Sequence, residues 1–176
     1  MENKEPRKNE KEKTIPASRM TAYIGVFTAL ALLLSYIESL IPVFLAVPGV
    51  KLGLANLVTI VALFKLGFLP AAGISLCRIL LSGILFGNLT MILYSLAGAT
   101  LSLLVMWALK QCRIFSVTGV SIAGAVAHNA GQLAVAAFLL ENGSMFYYMC
   151  VLAISGAVSG LLIGLLAGSI IRRIRI

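Results

Sequence analysis

The stretch Leu89-Thr-Met-Ile-Leu-Tyr-Ser-Leu-Ala-Gly-Ala-Thr-Leu-Ser-Leu-Leu-Val-Met-Trp-Ala-Leu109 carries no charge over 21 residues and runs directly into Lys110, Gln111 and Arg113. At 1.5 Å per residue, a helix of that length crosses a hydrocarbon layer of ~30 Å. The run is therefore read as a transmembrane helix with a polar stop, and the same pattern recurs on both sides of it. Toward the amino terminus lie apolar runs at about Met20–Ile41, stopped by Pro42, then Leu52–Phe68, stopped by Gly67 and Pro70, then Ala71–Phe86, ended by Gly87 and Asn88. Beyond it lie Val117–Leu140, turned by Glu141-Asn-Gly-Ser144, and Met145–Ile171, ended by Arg172, Arg173 and Arg175. Six spans are expected.

Composition agrees. Of 176 residues, 60% are hydrophobic and 11% charged, against about 25% charged in an ordinary soluble domain. Mean hydropathy is +1.03, and a soluble fold of this length could not bury so much apolar side chain. The expected fold is all-α: a six-helix membrane bundle over residues 20–176. Residues 1–19 precede it as a polar tail in which Lys and Arg alternate with Glu, a disordered segment by composition. The tail is too rich in Glu for the start of a signal peptide, and the run after it is too long for the apolar region of one.

Fourteen Lys and Arg stand against six acids, all Glu, for a net charge of +8. The bases flank apolar runs instead of forming a stripe on a soluble face, so they report orientation in a bilayer and not nucleic-acid binding. With both termini in the cytoplasm, twelve of the fourteen face inward; Lys51 faces outward and Arg78 lies inside a span. The expected location is the cytoplasmic membrane, crossed several times.

Several activities are excluded. With no Asp, the chain has no Asp-rich magnesium-diphosphate site and no Ser/His/Asp triad. It contains no GxxxxGK[ST] loop and no HExxH. Cys77, Cys112 and Cys150 are scattered without CxxC spacing and read as packing residues. No enzyme, cofactor or metal site is expected, and any active transport would draw on a partner subunit or an ion gradient.

The polar residues at membrane depth carry what remains. A central Arg costs about 2.5–3.5 kcal/mol on insertion scales, so Arg78 calls for a reason. Ser75, Arg78 and Ser82 share one helical face by spacing, and a guanidinium there suits an anionic or carbonyl-rich ligand, or else an internal pair with Glu38 or backbone carbonyls. His128, Asn129 and Gln132 form an imidazole–carboxamide cluster in the fifth span, either binding a ligand or bonding neighbouring helices. The segment Pro42–Asn56, with two prolines and two glycines before Leu54, reads as a shaped outer lid whose Lys51 and Asn56 supply polar contacts, or as a plain connection. Gly156, Gly160, Gly164 and Gly168 recur every fourth residue as a helix-packing stripe, and Thr21, Gly25 and Ala29 repeat that spacing on the first span, where a partner can dock.

The string Pro48-Gly49-Val50-Lys51-Leu52-Gly53-Leu54-Ala55-Asn56, with Arg78-Ile-Leu-Leu, Ser95-Leu-Ala-Gly98 and His128-Asn-Ala-Gly-Gln132, resembles the Gx transporter family, whose members often carry the name heptaprenyl diphosphate synthase component I. The likeness covers Met20–Ile171. It also looks similar to the substrate-binding S-components of energy-coupling factor transporters, six-helix bundles whose small-residue first helix docks a coupling subunit with two ATPases. That resemblance implies a substrate-binding transport component for a small molecule, with Gly25 and Ala29 at the partner interface. The alternative it implies is a non-catalytic accessory protein of isoprenoid or quinone metabolism, partnered by an enzyme of that pathway.

Overall fold

A computed structural model describes residues 16–40, 53–141 and 147–174. They form six helices: α1 (Ala17–Leu40), α2 (Leu54–Lys65), α3 (Phe68–Phe86), α4 (Leu89–Cys112), α5 (Val117–Leu139) and α6 (Met149–Arg173). No strand occurs among the described residues.

Local chemistry sets the boundaries. The Asn88 side chain accepts from the Met91 N–H at 2.8 Å and Ser116 accepts from Gly119 N–H at 3.1 Å, so each caps donors that the first turn of its helix leaves orphaned. Gly67, at φ +100°, makes the two-residue turn from α2 to α3, and its N–H bonds the Ala62 carbonyl at 3.1 Å. Pro70 does not separate the second and third spans as its ring suggests. It sits in the first turn of α3, where no intrahelical donor is required. At the start of the bundle, α1 takes in Ala17, Ser18 and Arg19, which the sequence assigns to the tail.

The second span is the main departure from expectation. Five helices, of 19 to 25 residues, are long and apolar enough to cross a membrane. The remaining one, α2, has 12 residues, about 18 Å of helix, and does not. It lies inside the protein: Ala55 and the whole run Val58–Leu63 are buried, enclosed by α1, α3 and α6. Its last turn is held by Lys110 of α4, whose Nζ donates to the Leu63 carbonyl at 2.7 Å and stands 5.3 Å from the Phe64 ring centre.

Apolar side chains cover the outside, among them Val26, Ile84, Leu69 and Ile154, each more than 60% exposed. On a soluble domain so wide an apolar surface would be an aggregation hazard; here it is the surface a bilayer solvates. The chain is a multi-pass membrane protein.

The packed core gathers Met20 and Tyr23 from the start of α1, Leu63 and Leu66 from the end of α2, Phe68 and Ala71 from the start of α3, Met106 and Leu109 from the end of α4, Val117 and Val120 from the start of α5, and Ala167 and Ile170 from the end of α6. Consecutive helices therefore alternate in direction, and α1 begins at the end of the bundle where α6 finishes. Arg19, Lys65, Lys110, Arg113, Arg172 and Arg173 lie at that same end by their place on the helices.

Glycine sets the closest approaches. A Cβ on Gly160 would lie 2.7 Å from Ile122 Cα, one on Gly164 2.7 Å from Thr118 Cα, and one on Gly156 2.8 Å from Asn129 Nδ2, so α6 rests its backbone on α5 along this face. Gly168, read as the fourth member of the stripe, meets nothing within 4 Å and is outside the interface. Across α4, Gly98 and Gly131 face each other: a Cβ on Gly131 would stand 2.9 Å from Gly98 Cα.

Candidate functional site

α4 approaches α5 closely, and α2 stops short of a full crossing. A partly open cavity remains between the helices. All six contribute to its wall. Arg78 projects from the middle of α3, Asn56 from the first turn of α2, and His128, Asn129 and Gln132 from two adjoining turns of α5. Residues 22 to 76 positions apart in the chain thus line one chamber.

Each is held differently. Arg78 is 8% exposed, and its Nε has no hydrogen-bond partner among the described residues. Asn129 donates from Nδ2 to the Leu152 carbonyl of α6 at 2.8 Å, so it fastens α5 to α6 as well as bordering the cavity. Gly98 packs against the α5 backbone beneath the imidazole; a Cβ there would meet the His128 carbonyl at 2.8 Å, Gln132 Cγ at 2.9 Å and His128 Nε2 at 3.0 Å. Any larger residue at position 98 would displace both polar side chains. Asn56 is placed by a turn whose Gly53 adopts φ +77°, a left-handed conformation suited to glycine.

One expectation from the sequence changes, and another lies beyond the described residues. The serines spaced with Arg78 do not join it: Ser75 borders a separate crevice between α3 and α4, and Ser82 donates to the Ile79 carbonyl of its own helix at 3.2 Å. Lys51 and the lid Pro42–Lys51 lie outside the described residues.

Glu38 is the wall residue the sequence did not place there. It comes from the end of α1, half-buried, and its Oε1 accepts from the Gly53 N–H at 2.6 Å. That bond ties α1 to the amino end of α2, where the helix dipole favours an anion. Its signal was visible as an acid within an apolar span. The hydroxyls of Ser95, Ser102, Ser121 and Ser159 also face the chamber, but serine is so common in membrane helices that nothing in the sequence marks them out. The deep end is apolar: Ile60, Met106 and Ile163 close it.

Among the described residues the chamber wall thus carries one guanidinium, one carboxylate, an imidazole, three carboxamides and several hydroxyls, a set suited to recognition. Among the described residues no three His, Cys, Asp or Glu side chains come together as metal ligands, and the three cysteines are free and exposed. On the outer surface of α1, Gly25 and Ala29 are both exposed, and a Cβ on Gly25 would touch nothing within 4 Å.

A family model described as heptaprenyl diphosphate synthase component I matches residues 27–170, from the third turn of α1 into the last turn of α6. No curated protein and no solved structure matches the chain.

Proposed function

The chain belongs to the heptaprenyl diphosphate synthase component I family, and from that membership and the chamber inside its helices we propose that it is a membrane-embedded binding component for a small polar molecule, serving a transporter. One observation carries the reading: a guanidinium 8% exposed, with an unpartnered Nε, lining a polar cavity within a bundle of membrane-length helices. Buried ionisable groups inside a membrane are expensive, and they persist where they meet an ion, a substrate or each other. Arg78 counters negative charge on the ligand; Asn56, His128, Asn129 and Gln132 supply directional hydrogen bonds. Lys51, in the connection between α1 and α2, adds a second cation from outside.

The basic end of the bundle faces the cytoplasm, as the positive-inside rule demands, with both termini there. The ligand then enters the half of the bundle that opens outward, in the cytoplasmic membrane. With no ATP-binding loop in the sequence, movement is driven by a partner such as a coupling subunit with ATPases. The small-residue face of α1, at Gly25 and Ala29, is where that partner docks.

A second reading is favoured by the description of the family itself, which names component I of a prenyl diphosphate synthase: the chain is a non-catalytic membrane partner of such an enzyme. One experiment separates the two. Protein purified in detergent is incubated with a metabolite extract, washed, and its retained solutes identified, in parallel with Arg78→Ala. The binding component retains a defined solute that the variant loses while unfolding at an unchanged temperature. An accessory protein retains nothing and instead raises the turnover of a co-purified prenyl diphosphate synthase.

A further inference from the structure

Glu38 and Arg78 both border the chamber without joining. They come from different helices, α1 and α3, and both line the same cavity. No ion pair within 4.0 Å forms between them. One carboxylate oxygen is engaged by the Gly53 N–H, which pins the acid to the start of α2. The guanidinium, carried by α3, lies nine-tenths buried with its Nε unpartnered among the described residues. Two opposite charges, each fixed by its own helix and held apart, form a preorganised dipole with a gap in it.

The geometry points to a compact zwitterion as the occupant: a molecule with an ammonium group set against Glu38, an oxyanion set against Arg78, and a short apolar body directed at Ile60, Met106 and Ile163. This rests on the binding reading above and names its ligand class. Charge balance is the reason. Among the described residues the chamber wall holds one positive and one negative side chain. A simple anion on Arg78 would leave an excess negative charge beside Glu38 in a poorly screened interior, and a simple cation on Glu38 the reverse. A zwitterion closes both gaps and adds no net charge. The apolar floor then places the body of the ligand, since Ile60 lies two turns deeper than Gly53 on α2 and Ile163 one turn deeper than Ser159 on α6.

Three probes built on the same four-carbon chain test it: norvaline, pentanoate, which lacks the ammonium group, and butylamine, which lacks the carboxylate. Each is titrated against the full chain in detergent and read by the shift in unfolding temperature, because a ligand that binds only the folded state raises it. Norvaline is expected to half-saturate at a concentration about tenfold or more below either fragment, the worth of one additional charge contact. Glu38→Gln keeps an acceptor for the Gly53 N–H but loses the charge; pentanoate should then match or surpass norvaline. Arg78→Met should abolish the response to both carboxylates and spare that to butylamine.

Pentanoate binding as tightly as norvaline, in wild type and Glu38→Gln alike, overturns the zwitterion and leaves a binding component for anions. No shift with any of the three also overturns it, and the reading of the chain as a binding component then rests on solute capture from extract.

Discussion

Arg78 is the residue on which the chemistry turns, and its environment makes a prediction with an unusual sign. A buried cation whose Nε has no partner pays for its desolvation without full return, so replacing it by an apolar side chain of similar length relieves the bundle. Arg78→Met is expected to hold or raise the unfolding temperature in detergent while ligand capture disappears. A fall in stability together with unchanged capture would show that the guanidinium works as helix glue. Asn129 behaves oppositely. Its Nδ2 bond to Leu152 joins α5 to α6, so Asn129→Leu is expected to lower stability, by about 0.6 kcal/mol if the bond has the average worth of its kind in membranes. Much of the chamber was legible at this scale, because Arg, His, Asn and Gln are conspicuous among apolar neighbours. Glu38 reads in sequence only as a counter-ion for Arg78. Its bond to Gly53 joins residues fifteen apart, across a connection that no helical spacing describes.

At the scale of elements, the glycines separate by what lies opposite them. Gly164→Ala drives a methyl to within 2.7 Å of Thr118 Cα, a backbone atom that cannot rotate aside. It should destabilise by about 1–3 kcal/mol, the usual cost of overpacking. Gly168→Ala meets open space and should be neutral or slightly stabilising, since alanine favours the helix. Thermal unfolding of the two variants side by side checks both, and equal losses would contradict the α5–α6 packing. Lys110→Met removes the bond to the Leu63 carbonyl and should cost about 1.5–3 kcal/mol, the range for a hydrogen bond to a charged group. The period of four predicts a stripe, but it cannot tell which members meet a neighbour, because the stripe outlasts the contact. In the same way, hydropathy finds the apolar run Leu52–Phe68 and Gly67 marks its end, but neither shows that Gly53 turns the chain and leaves α2 at twelve residues.

For the whole molecule the testable property is sidedness. Alternating helices bring the start of α1 and the end of α6 together with five helix-borne bases besides Arg113, and place the α3–α4 connection at Asn88 at the far end. In a chain whose three native cysteines are replaced, Asn88→Cys is expected to react with a membrane-impermeant maleimide added to intact cells, and Arg113→Cys only after permeabilisation. Reaction of both from outside would invert or break the topology.

That this chain is helical, lives in a membrane and carries a few costly polar groups follows from composition and spacing, since a bilayer is a solvent with a fixed thickness and every apolar run is measured against it. Which of those groups meet was decided by packing. Arg78, His128 and Glu38 share a chamber because glycines let α4, α5 and α6 close tightly while α2 stops short, and because α1 and α3 each bring a charge to its wall. Such approaches depend on the shape of two surfaces at once, and each surface occupies a different part of the chain.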